Sequence, residues 1–170
     1  MYNSWKVDLK DSIKALNCIK NSVLPRLIKG KIHTIEAQDN NVLILLDTLS
    51  GIDYIRENEN GLQGIAARVQ WGNNWNTFTI RKERHTGNKT EYQKRMEQIE
   101  NGYFYPFFTL QAYFNNRVEN RLLSIAVIKT KELYNFINKH PEKVITRKSD
   151  NFFYIVKWID VLSLTKAITL

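Results

Sequence analysis

The sequence contains one cysteine, three prolines, seven glycines and no long apolar run. The scarcity of cysteine and the absence of a long apolar run each exclude a class of protein. Cys18 alone cannot form an internal disulfide or a zinc site built from several cysteines, and its apolar helical surroundings predict a buried core residue. The run VLILL at 42–46 is too short to span a membrane. The N-terminus MYNSWKVDLK has no apolar segment typical of a signal peptide, so we expect a cytoplasmic protein without a membrane partner.

Positive charge is what the sequence has in excess. It carries 25 Lys and Arg residues against 17 Asp and Glu, which gives a net charge of +8. Such an excess favours an anionic partner, most often nucleic acid. A basic protein with no such ligand is the alternative. The length of 170 residues and the hydrophobic content of 43% predict one folded domain, residues 1–170.

The order of helical and strand patterns predicts an α+β fold. Apolar residues from Leu9 to Leu27 recur at helical spacing, and Pro25 is expected to kink or restart that helix. Strands and two further helices follow, with Thr90 as the N-cap of the first of these helices. In chain order the segments after the first helix are IDYIRE, GIAARVQW, TFTIRKE, the helix at 90–102, FFTLQAYF, LLSIAVI, the helix at 131–140, and a late hairpin of VITRK and FFYIVKW. They predict a mixed β-sheet flanked by helices.

The segments LDTLSGIDYI, GIAARVQW and TFTIR carry a family resemblance. The order of elements resembles the restriction-endonuclease-like core of the PD-(D/E)XK nucleases over about residues 30–115. That order is a helix, a run of strands, a second helix and another strand, with an acid early in the second strand of the run. The resemblance implies that Asp53 holds Mg²⁺ and that Asp47 or Glu36 supplies a further carboxylate. Such carboxylates bind a hard cation, which polarises a phosphate and activates water.

The sequence departs from that family on the next strand. Side chains alternate along a strand, so Ala66, Arg68 and Gln70 share one face. The polar pair is therefore Arg68-x-Gln70, where the family has an acid and a lysine. Gln70 can orient water or phosphate and Arg68 can stabilise charge on the phosphate, but neither supplies the second acid. Either that acid comes from elsewhere or the site only binds. Asp53 after Gly51 can also be an ordinary polar strand start.

Residues 81–95 concentrate positive charge, with six bases and two acids in fifteen residues. A basic loop next to a helix N-terminus can receive phosphates, although a solvated loop that contacts nothing has the same composition. Exposed aromatics in the adjoining loop could stack on bases. The predicted nucleic-acid contacts are Arg81, Lys82, Arg84, His85, Lys89, Lys94 and Arg95, together with Trp75.

Three functions follow from these patterns. The first is a DNA-binding, Mg²⁺-dependent endonuclease with Asp53, Gln70 and Arg68 at the catalytic site. The second is a non-catalytic nucleic-acid-binding module that uses the basic segment 81–95. The third is a protein–protein interaction factor, because FFYIVKW is apolar on both faces and allows a homodimer or ordinary burial.

Overall fold

The computed structural model describes residues 4–35, 50–83, 88–148 and 152–170. Asp47, Glu36, Arg84 and His85 lie outside these ranges. Nine strands, four α-helices and two 3₁₀ segments are found in the described part of the chain. In chain order they are α1 (Ser4–Lys20), α2 (Leu24–Leu27), β1 (Lys31–Thr34), β2 (Tyr54–Asn58), β3 (Gly61–Trp71), β4 (Thr77–Arg81), α3 (Glu91–Glu100), β5 (Pro106–Phe114), β6 (Leu122–Lys129), α4 (Thr130–Lys139), a 3₁₀ turn (Pro141–Lys143), β7 (Ile145–Lys148), β8 (Phe152–Lys157), a 3₁₀ segment (Trp158–Leu164) and β9 (Thr165–Thr169).

The N-terminal helix stops and restarts as the proline predicts. α1 ends at Lys20, and α2 begins at Leu24 with Pro25 in its first turn, where the missing N–H is harmless. The prediction that Cys18 is buried is wrong, because its side chain is exposed. The buried stripe of α1 runs through Ala15, Leu16 and Ile19, and Cys18 falls outside it.

A mixed six-stranded sheet forms the centre of the fold, in the order β1-β2-β3-β5-β6-β9. All neighbours are antiparallel except β3 and β5, which are parallel. Parallel neighbours need a crossover connection, and residues 72–105, which include β4 and α3, supply it. The predicted α+β class with a mixed sheet and flanking helices is confirmed.

The TFTIR segment does not join this sheet. As β4 it pairs with β8, and β8 pairs with β7, in a separate three-stranded sheet ordered β4-β8-β7. The late hairpin is confirmed as β7 and β8, and β8 is the central strand of its sheet, as two apolar faces predict. The C-terminal tail then returns to the large sheet as β9, antiparallel to β6.

The large sheet is covered on both faces. One face packs against α1 and α2 around Leu16, Leu110 and Ile125, among others. The other face packs against α4 and the small sheet, through residues such as Phe78, Leu133 and Trp158. In the described ranges, we find no helix with the length and apolar character that a membrane crossing requires.

A buried tyrosine links the two sheets. The Tyr113 hydroxyl, from β5, lies 2.8 Å from the Thr77 Oγ1 and donates to the Thr77 carbonyl oxygen at 2.9 Å. It also accepts the Thr77 backbone N–H at 3.2 Å. Because Thr77 is the first residue of β4, these bonds fix the small sheet to the centre of the large one.

Candidate functional site

The Ser50-Gly51 corner that precedes Asp53 is held by a buried arginine. Gly51 has φ of 55°, in the left-handed region that favours glycine. Arg95 of α3 is only 5% exposed. Its guanidinium donates to the Ser50 carbonyl and, at 3.1 Å, to the Gly51 carbonyl. The corner is therefore built by α3 as well as by its own glycine.

Asp53 lies just after this corner, one residue before β2 begins. Its Oδ2 accepts the Ala67 backbone N–H at 2.5 Å. Its backbone N–H donates to the Ile65 carbonyl at 2.9 Å. Asp53 is thus tied to β3 by both its backbone and its side chain, which sets the carboxylate beside the central strands.

Asp53 lines a cavity of about 180 Å³ between the large sheet, β4 and α3. Arg68 lines the same cavity, and its Nη2 donates to Glu91 Oε2 at 2.7 Å. Ile65, Ala67, Val69 and Trp71 of β3 pack on the opposite face of the sheet. The predicted alternation, with Ala66, Arg68 and Gln70 on one face, is confirmed. The cavity is lined by Gly51, Asp53, Ala66, Ala67, Arg68, Thr79, Glu91, Arg95, Thr109, Leu110 and Gln111.

Glu91 lines the cavity and was not among the site residues predicted from the sequence. It is the first residue of α3, and the helix start is fixed by a capping box between Thr90 and Gln93. Thr90 is therefore confirmed as the N-cap, and its backbone N–H donates to Gln93 Oε1 at 2.9 Å rather than facing a ligand. The sequence offered one signal for Glu91, which is that this acid directly follows the predicted N-cap residue Thr90. The sequence did not reveal that this end of α3 lies beside β4 and brings Glu91 within hydrogen-bond distance of Arg68 on β3.

Gln111 brings an unsatisfied amide to the cavity wall. It pairs with Arg68 across the parallel strands and is 1% exposed. Its Oε1 accepts from the Thr79 hydroxyl at 3.0 Å. Its Nε2 has no hydrogen-bond partner among the described residues. A buried N–H without a partner costs free energy, so an acceptor in the cavity would be stabilising there.

Gln70 lies outside this cavity, in the adjoining groove of about 690 Å³ between the end of β3 and the small sheet. Thr79 lines both spaces. Asp53 and Arg68 are therefore brought together at one site, while Gln70 lies beside it.

The predicted phosphate contacts occupy different environments. Arg68 and Arg81 each lie with the guanidinium carbon 5.6 Å from the centre of the Phe153 ring, so two cations contact the same aromatic ring. Lys82 lies 5.2 Å above the Tyr154 ring and 3.6 Å from Glu83. Their role in binding nucleic acid stays a prediction.

The remaining predicted contact residues differ in exposure and in partners. Lys89 is paired with Glu97 at 2.5 Å, and Arg95 is buried against backbone carbonyls. Lys94 is exposed on α3, and Trp75 is 60% exposed.

Tyr134 of α4 is a buried neighbour of these charges. Burial raises the pKa of its phenol well above the usual value, and the Glu91 carboxylate adds to that shift. The guanidinium groups of Arg95 and Arg68 oppose it. The phenol therefore stays neutral beside the cavity.

No protein-family model matches the chain, and no curated protein matches it.

Proposed function

We propose that the protein binds nucleic acid, DNA in preference to RNA, and cleaves phosphodiester bonds with the help of Mg²⁺. The observation that carries this proposal is that two acidic residues, Asp53 and Glu91, line one cavity together with Arg68. The order of elements also supports the resemblance to the PD-(D/E)XK core, because a helix and β1 precede β2, Asp53 stands at the start of β2, and α3 and β5 follow.

The donor set in the cavity fits a hard divalent cation. Mg²⁺ is commonly held by one or two carboxylates plus waters and substrate phosphates, which is the number of carboxylates found here. Both of the hydrogen bonds described for the Glu91 carboxylate, from Arg68 Nη2 at 2.7 Å and from the Arg81 backbone N–H at 3.5 Å, end on Oε2. A cation held by Asp53 and Glu91 would polarise the phosphate and lower the pKa of an attacking water.

The other residues of the cavity suit a phosphate. Arg68 has five N–H donors, and only Nη2 is used on Glu91. It can therefore hold Glu91 and a phosphate oxygen at once. The Gln111 Nε2 can donate to a second oxygen. Arg81, which contacts the same Phe153 ring as Arg68, adds positive charge that would offset the charge of the scissile phosphate.

The experiment is incubation of supercoiled plasmid with the protein in Mg²⁺, Mn²⁺ or EDTA. Asp53→Asn and Glu91→Gln should each abolish metal-dependent nicking, because both remove a charged oxygen ligand at nearly constant volume. Glu100→Gln, at the exposed end of the same helix, is the matched control and should cleave normally. Mn²⁺ affinity, measured by calorimetry, should fall in the first two variants only. Full nicking by Asp53→Asn would refute the assignment.

A non-catalytic nucleic-acid-binding module is the second candidate, and a specific observation favours it. Arg68 neutralises Glu91 at 2.7 Å, and the described residues contain no group of three His, Cys, Asp or Glu side chains able to hold a metal. This candidate predicts DNA binding that weakens steeply with salt and no cleavage by any variant in any metal.

A further inference from the structure

The groove beside the cavity has a rigidly presented tryptophan at its mouth. Trp75 lies between two asparagines whose side chains are anchored, because the buried Ser124 hydroxyl lies 2.6 Å from Asn74 Oδ1 and 3.1 Å from Asn76 Oδ1. The Asn76 carbonyl also accepts the Trp158 backbone N–H at 2.9 Å. The loop is thus fixed on both sides of an indole that is 60% exposed. A surface held in place before binding loses little entropy when a ligand arrives.

The walls of the groove suit a flat, apolar ligand. Ile145, Ile155 and Ile159 line it with Trp75, and Ile145 and Ile159 are largely exposed. The volume of about 690 Å³ lies within the range of small-molecule sites. An aromatic ring system placed on the indole would cover apolar surface that now faces water.

A buried acceptor in the groove needs a donor. Gln70 Oε1 is buried and has no hydrogen-bond partner among the residues the structure describes. Nucleobases carry amino or imino donors on the edge that pairs in a duplex. Lys157, exposed at the groove, adds a cation suited to a phosphate.

The groove and the cavity adjoin each other. Thr79 lines both, and Gln70 follows Arg68 by two residues on the same face of β3, which is about 7 Å along a strand. We propose that the groove binds an unpaired nucleobase of the strand whose phosphate occupies the cavity. This inference rests on the proposed function and names its substrate class, which is single-stranded DNA or DNA with an extrahelical base.

A paired base does not fit these requirements. In a duplex its donor edge is engaged by the opposite strand and both its faces are stacked, so it must leave the helix to reach a recessed pocket. Stacking on an aromatic side chain is tolerant of base identity. The groove therefore discriminates between single-stranded and duplex DNA more than between base sequences.

Fluorescence anisotropy in EDTA tests the proposal without any cleavage. The probes are a labelled single strand of mixed sequence, the same strand annealed to its complement, and a strand of equal length made of abasic deoxyribose phosphates. Trp75→Ala should weaken binding of the base-bearing single strand by about 5- to 150-fold. Gln70→Leu should weaken it by about 2- to 10-fold. Affinity for the duplex and the abasic strand should stay within about twofold of wild type in both variants.

Tyr103→Ala is the matched control, because Tyr103 is 62% exposed and does not line the groove. It should leave all three affinities unchanged, and circular dichroism checks that each variant is folded. Equal losses for the base-bearing and abasic strands would overturn the proposal, as would no loss in Trp75→Ala. A Trp75 effect without Mg²⁺-dependent cleavage of either the plasmid or the single strand would refute only the nuclease. Nicking without a Trp75 effect would refute only the base pocket.

Discussion

Replacing Arg95 by methionine should destabilise the protein more than removing one charge from an exposed position would. The guanidinium is 5% exposed and donates to the carbonyls of Ser50 and Gly51. It also lies 3.4 Å from Gln98 Oε1. Methionine keeps the length and apolar stem of the side chain but supplies no donor. The two carbonyls of the corner then lose their donor from α3.

The size of the effect follows from these bonds. A hydrogen bond to a charged group contributes about 1.5–3 kcal/mol, so the two carbonyl bonds amount to about 3–6 kcal/mol before any compensation. Part of this is offset because a buried charge, which is itself costly, is removed. We expect the free energy of unfolding to fall by about 2–4 kcal/mol. For a protein of this size that lowers Tm by about 5–15 °C.

Urea denaturation followed by tryptophan fluorescence is the assay. The midpoint should fall while the slope m stays constant, since the same surface is exposed on unfolding. Lys94→Met is the matched control, because it removes the same charge from the neighbouring, exposed position of α3. It should change the free energy of unfolding by less than about 0.5 kcal/mol. Equal losses in the two variants would show that Arg95 does not hold the corner.

Two further predictions concern Tyr134 and the start of α3. Burial raises the pKa of Tyr134 in the folded state. Above about pH 10 the unfolded state therefore loses the phenol proton before the folded state does. The free energy of unfolding then falls as pH rises, by up to about 1.4 kcal/mol per pH unit. Tyr134→Phe should fall less steeply between pH 10 and 11 in urea titrations, and parallel profiles for the two proteins would contradict this reasoning. Thr90→Ala removes the capping box of α3 and should lower the free energy of unfolding by about 1 kcal/mol in the same titration. Thr90→Ser keeps a hydroxyl and should retain most of that free energy. An unchanged midpoint in Thr90→Ala would mean that the cap is not stabilising.

Local patterns predicted the elements whose chemistry is encoded in short segments. The alternation of β3 identified which residues face the core, because a half-buried strand repeats every two residues. Thr90 marked the start of α3, because its hydroxyl can accept the Gln93 backbone N–H. Both signals lie within a few residues of the feature that they predict.

Features that depend on long-range packing were not predicted. TFTIR has the composition of any strand, and nothing local shows that it pairs with β8 instead of its sequence neighbour β3. Arg95 was expected to contact phosphate because it is basic, yet the structure places it against the Ser50-Gly51 corner. Glu91 joins Asp53 only because the crossover brings α3 over the sheet. Side-chain type does not encode any of these distances.

The interleaving of the two sheets along the chain has a consequence for how the protein forms. Along the chain, β1–β3 belong to the large sheet, β4 to the small sheet, β5 and β6 to the large sheet, β7 and β8 to the small sheet, and β9 to the large sheet. Neither sheet is a continuous stretch, so neither is complete before β8 and β9 have emerged from the ribosome. Contacts between distant segments slow folding, and a nascent chain that has not yet added β9 presents β6 as an open edge. Synthesis of residues 152–169 is thus the step that allows the two sheets to close together.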